Sequence, residues 1–117
     1  MTLELKEQKC EPCTGKSPRL SPEEIERLKQ EIPEWKTIEV EGELRLQNVY
    51  KFPDFVTALD FTNRIAAEAE REGHHPSLLT EWGKVTVTWW THAISGLHQN
   101  DFIMAAKTDA INKNISK

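Results

Sequence analysis

The sequence predicts an α+β domain in two layers: a four-stranded antiparallel sheet with helices on one face, in the order α-β-β-α-β-β-α. Three observations predict it. Apolar residues recur at helical spacing after Asp54, and they alternate with polar ones in the stretches that end near Phe52 and His92. Each alternating stretch follows a shorter strand-like run across a single glycine, Gly42 or Gly83. Strands joined so tightly form hairpins, and an antiparallel sheet can carry its helices on one face.

The elements can be justified in order. Residues 1–19 read as a flexible N-terminal tail, because proline, glycine and serine crowd the segment around Cys10 and Cys13. One CxxC pair supplies half of a zinc site or a redox pair. No second ligand pair follows at zinc spacing, so the two thiols read as unmetallated and the tail as dispensable for stability. The domain then takes residues 20–117. Ser21 is an N-cap, Pro22 opens the first helix, Ile25, Leu28 and Ile32 form its apolar stripe, and Pro33 stops it. Two strands turn around Gly42, the second with Leu44, Leu46, Tyr50 and Phe52 on one parity. A long helix follows from the N-cap Asp54 to Gly73, with Phe55, Leu59, Thr62, Ala66 and Ala69 as its stripe. Two more strands turn around Gly83, the last carrying a core face of Val85, Val87 and Trp89 and ending at His92. A final helix from about His98 to Asn112 buries Phe102, Ile103, Ala106 and Ala110.

Composition narrows the function. A net charge of -4 disfavours nonspecific nucleic-acid binding, and 38% hydrophobic with 29% charged residues is ordinary for a soluble domain. No apolar run approaches a membrane span, and the N-terminus lacks the apolar region of a secretory signal, so a cytosolic location is the expectation.

The chemistry concentrates in one window. All 4 histidines, His74, His75, His92 and His98, fall between Glu70 and Asp101. His74 and His75 follow the helix that ends at Gly73, with Glu70 one turn back to orient His74; the extended backbone before Pro76 turns the two rings apart. His92 lies beside Trp90 at a strand end, and His98 reads as a polar residue of the last helix's first turn. Asp101, in that same turn, suits the helix dipole and can also fix the tautomer of a neighbouring imidazole. Imidazoles transfer protons near pH 7, and Trp82 and Trp90 can offer a flat apolar wall to a planar ring.

Glu70, three residues, His74-His75-Pro76, five residues, Trp82, nine residues, His92, eight residues and Asp101 together resemble the signature of the pterin-4a-carbinolamine dehydratases. The resemblance extends over roughly residues 20–112, and the tail around Cys10 is similar to tails of bacterial members. It implies dehydration of 4a-hydroxytetrahydrobiopterin to the quinonoid dihydropterin, without metal or other cofactor, in support of aromatic amino-acid hydroxylases. It places His74 and His92 at acid/base positions without deciding which is acid and which is base. It places His75 at a pterin contact, with Pro76, Trp82 and Trp90 as further contacts and Asp101 and Glu70 as supporting carboxylates. It also implies a homodimer or homotetramer. Animal members carry an aromatic shortly after the HHP motif where this chain has Ser77, Leu78 and Leu79, so a more aliphatic pterin wall is expected. Their further role as partners of a homeodomain transcription factor does not follow from a catalytic motif. Two other readings compete: a metal-dependent hydrolase with His74, His92 and Asp101 as ligands, and a noncatalytic module binding a protein through a sheet edge or helix face.

Overall fold

A computed structural model describes residues 4–10 and 19–115 of the chain. After a short 3₁₀ turn, Leu5–Glu7, come α1 (Pro22–Lys29), β1 (Lys36–Val40), β2 (Glu43–Lys51) and α2 (Phe55–Glu72). They are followed by β3 (Ser77–Glu81), β4 (Lys84–Trp89), a second 3₁₀ turn (His92–Ile94) and α3 (Gln99–Lys113). The four strands form one antiparallel sheet in the spatial order β1-β2-β4-β3, and α2 and α3 both pack against it. This is the α+β architecture that the pattern of the sequence predicts.

Local chemistry explains most boundaries. Ser21 and Glu24 form a reciprocal capping box at the start of α1, and the Asp54 carboxylate accepts the Thr57 N–H at the start of α2. The first hairpin turns through Glu41 and Gly42, both at positive φ (51° and 83°), as a two-residue hairpin turn requires. Gly73, at φ 67°, ends α2 in the left-handed conformation that glycine adopts without strain.

The sheet's inner face presents Leu46 and Tyr50 from β2 and Val85, Val87 and Trp89 from β4, all buried. Phe61 and Ile65 of α2 and Phe102 and Met104 of α3 close over them. The Asp109 carboxylate on α3 accepts the Tyr50 hydroxyl and, at 3.1 Å, the Trp35 indole N–H, which joins α3 to β2 and to the loop before β1. Burial raises the Asp109 carboxyl above the ordinary range, while these donors act against that shift.

Four expectations change. The buried stripe of α2 is Ala58, Phe61, Ile65 and Ala69, while Phe55 and Leu59 are 44% and 41% exposed. Apolar residues fill more than half of this helix's circumference, so helical spacing alone leaves the phase open. On α3, Ala106 and Ala110 are half-buried rather than core residues. The last strand ends at Trp89, and His92 opens the turn beyond it.

The tail is the fourth change. Residues 4–10 lie against α3: Leu5 is 3% exposed within the core, the Lys107 ammonium donates to the Lys6 carbonyl, and Gln99 bonds Gln8. One leucine among charged residues gives no periodic signal, so the sequence reads as free chain where the structure packs. Residues 11–18, Cys13 included, lie outside the described residues. Leu5→Ala is expected to lower the unfolding free energy by roughly 2 kcal/mol in urea titrations, where the same change in a free tail costs nothing measurable.

Candidate active site

One end of the sheet carries a cavity of about 550 Å³, within the range that small-molecule sites occupy. Four segments build it. Glu72 to Pro76 come from the turn after α2, Trp90 to Ala93 from the exit of β4, Asn100 from the first turn of α3, and Cys10 from the N-terminal segment.

Two of its lining residues, His74 and Thr91, bond Asp101, which itself has no exposed surface. Burying a carboxylate without partners is prohibitive, so it must find donors. It finds three. His74 Nε2 lies 2.7 Å from Oδ1, while Oδ2 accepts the Thr91 hydroxyl at 2.8 Å and the His98 backbone N–H at 2.9 Å. The last of these is half of a capping box, in which His98 Nδ1 accepts the Asn100 N–H at 3.0 Å. His98 is therefore the N-cap of α3 rather than a residue of its first turn.

His74 is nearly buried and stacks on Trp89, with ring centroids 5.7 Å apart and planes within 7° of parallel. A carboxylate only accepts, so the proton of the neutral ring sits on Nε2 and the lone pair on Nδ1. His92 is held differently. The Trp90 indole N–H donates to His92 Nδ1 at 3.1 Å, and an indole can only donate. The neutral His92 ring therefore carries its proton on Nε2. Of the three histidines that line the cavity, His74 and His92 thus leave opposite functions free, an acceptor on His74 and a donor on His92.

His75 also lines the cavity, but it pairs with Glu70 at the surface, where the two side chains are 61% and 77% exposed, and so does not share the partner of His74, as the pre-proline geometry predicts. Glu70 thus orients His75 and not His74, and it does not line the cavity. Pro76 and Trp90 do line it. Trp82 does not: it sits 73% exposed in the turn joining β3 to β4, at the Glu81↔Lys84 end of the hairpin, whereas the cavity lies beyond the Ser77↔Thr88 end. Ser77, Leu78 and Leu79 are also absent from the lining, so the expected aliphatic wall is not formed by them within one chain.

Sequence reasoning missed Thr91, Asn100, Glu72 and Cys10. Asn100 is 1% exposed, and no polarity pattern announces a buried asparagine in a helix's first turn. The Cys10 N–H donates to Glu72 Oε1 at 2.7 Å, and burial followed by the Glu72 charge pushes its thiol up to about 12, so it is neutral at physiological pH. Among the described residues no three His, Cys, Asp or Glu side chains gather as metal ligands. For the set His74, His92 and Asp101, both carboxylate oxygens and His92 Nδ1 are already engaged. No helix among the described residues is long and apolar enough to cross a membrane.

The class of protein that the fold and site define is an α+β domain with histidines lining a pocket at one end of its sheet. The comparisons make it particular. Residues 18–111 match the family model for pterin 4 alpha carbinolamine dehydratase, and the chain belongs to that family. A relative from Microcystis aeruginosa is 58% identical over 92% of this chain and 93% of its own length. One from Chlorobium limicola is 54% identical over 94% and 97%. Both carry provisional pterin-4-alpha-carbinolamine dehydratase names. A crystal structure of a transcriptional coactivator/pterin dehydratase from Brucella melitensis superimposes with a TM-score of 0.73 at 33% identity, covering 80% of this chain and 98% of that one. A pterin dehydratase-like protein described as a RuBisCO assembly factor in the alpha-carboxysome reaches 0.57 at 20% identity, over 70% of this chain and 92% of its own, which shows the fold alone.

The two histidine–carboxylate pairs should differ sharply in stability. Asp101→Ala strips three buried donors of their acceptor and is expected to cost about 3 kcal/mol or more. Glu70→Ala breaks an exposed pair and should cost under about 0.5 kcal/mol. Denaturant midpoints of the two variants check the contrast.

Proposed function

We propose that this chain is a 4a-hydroxytetrahydrobiopterin dehydratase, forming the quinonoid dihydropterin and water in the recycling of the cofactor of aromatic amino-acid hydroxylases. One observation carries the reading: His74 and His92 line a single cavity with an acceptor on one ring and a donor on the other. Family membership supports the substrate class.

The reaction breaks the C4a–O bond, removes the proton on the adjacent ring nitrogen and forms the carbon–nitrogen double bond. It releases no net proton, because the one lost by nitrogen balances the one gained by the hydroxyl as it becomes water. His74 Nδ1 is the base for the nitrogen proton, and Asp101 stabilises the imidazolium that results. His92 donates its Nε2 hydrogen bond to the departing oxygen; a neutral imidazole can polarise oxygen in this way. The hydroxyl leaves as water by taking up the proton that His74 has gained. His75, exposed at the rim beside Pro76, contributes to holding the pterin.

Stopped-flow measurement of carbinolamine breakdown, with and without the protein, tests the reading. Acceleration over the spontaneous reaction is expected, and its absence would defeat the proposal. His74→Ala and His92→Ala should each lower turnover by up to the roughly 10²- to 10⁴-fold typical of general acid–base catalysis, with the double variant approaching the uncatalysed rate. His75→Ala should raise KM more than it lowers kcat. His98→Ala should leave turnover intact while costing about 1 kcal/mol of stability through loss of the N-cap.

The chain works as a homodimer or homotetramer in this reading. Phe55, Val56 and Leu59 expose 44%, 76% and 41% of their surface along α2, and β1 and β3 leave both sheet edges open. Sedimentation at micromolar concentration should show a species heavier than the 13.5 kDa chain; a monomer alone would refute it.

A further inference from the structure

His92 is exposed, on a short turn, and its tautomer rests on one hydrogen bond from Trp90. What holds Trp90 therefore matters to the site. The indole is 9% exposed and its ring is covered by the guanidinium of Arg45, whose Cζ lies 3.9 Å from the ring centroid. Arg45 comes from β2 and belongs to no wall of the cavity. Its Nη2 donates to Glu43 Oε1 at 3.0 Å, with the two side chains 19% and 25% exposed. Glu43 is also hydrogen-bonded by the Ser95 side chain, and these two donors hold its carboxyl below the ordinary range.

The pair Glu43–Arg45 thus grips the turn carrying His92 on both sides, at Trp90 before it and at Ser95 after it. Packing alone does not account for an arginine here. Its Nε is buried with no hydrogen-bond partner among the described residues, whereas an aliphatic side chain would cover the indole without stranding a donor. A cation over an indole face is attracted by the ring's negative quadrupole, most strongly where water is excluded. It also withdraws electron density from the ring, which makes the indole N–H a stronger donor.

We propose that Arg45 is a positioning residue that acts through Trp90 to keep the proton of His92 on Nε2, the nitrogen offered to the substrate. The proposal rests on the dehydratase reading for its kinetic consequence, but not for the tautomer.

Arg45→Met and Arg45→Lys in the full chain test it by two readouts: steady-state kinetics of carbinolamine breakdown, and ¹⁵N NMR of the histidine ring nitrogens in the free protein. Met keeps the apolar cover and removes the charge. It is expected to lower kcat about fivefold, the scale of a partly desolvated cation–π contact, with KM within about twofold. It should also turn the His92 ¹⁵N pattern from a single Nε2–H form to a mixture of both tautomers. Lys, which restores a cation over the ring, should recover most of both. If Met leaves the Nε2–H form and kcat unchanged, or if Lys fails to rescue a variant whose urea midpoint is native, Arg45 is a packing residue and the proposal falls. If the wild-type protein does not accelerate the reaction at all, the dehydratase reading fails, and the NMR comparison still decides the role of Arg45.

Discussion

A carboxylate with no access to water is the constraint on which this structure turns. Asp101 can exist where it does only if three donors converge on it, and each comes from a different part of the chain: His74 after α2, Thr91 after β4 and His98 at the cap of α3. The cost of burying the charge therefore becomes a demand on geometry. The ends of two helices and a strand must meet within hydrogen-bonding distance, and the cavity is the space left around their meeting point. Because Asp101 sits in the first turn of α3, the helix dipole also favours its charge.

The same demand separates the paired histidines. Gly73 in the left-handed region reverses the chain at the end of α2, and the next residue turns inward to Asp101. Pro76 biases the residue before it to extended backbone, and His75 meets Glu70 at the exposed rim of the cavity. Neighbouring residues of one type thus receive opposite environments from two backbone-restricting residues, a glycine and a proline.

That division was legible in the sequence, as were the order of elements, the caps at Ser21 and Asp54 and the hairpins at Gly42 and Gly83, because each rests on local rules of φ, capping or alternation. What remained hidden depends on tertiary position. Glu70 lies one turn before His74 along the chain, but which ring a helix-end carboxylate meets depends on the exit angle of the chain, and here it is His75. Trp82 belongs to the motif's spacing, yet a strand separates it from the cavity, since spacing along a chain carries no information about which end of a hairpin a residue occupies. Residues 4–10 carry too little apolar pattern to declare themselves, and Leu5 is recognised as core only once α3 is present to receive it.

The contrast between the two cavity histidines follows from their partners alone. An acceptor partner fixes the proton of the neutral His74 ring on the nitrogen facing Asp101. A donor partner does the reverse for His92: the Trp90 N–H occupies Nδ1 and leaves the proton of the neutral ring on Nε2. The first support rests on a buried carboxylate and is charge-assisted, and the second is a neutral contact just past the end of β4, an interior strand of the sheet. Two identical side chains leave different nitrogens free because one is given a carboxylate and the other an indole. That difference is written in Asp101 and Trp90, not in the histidines themselves.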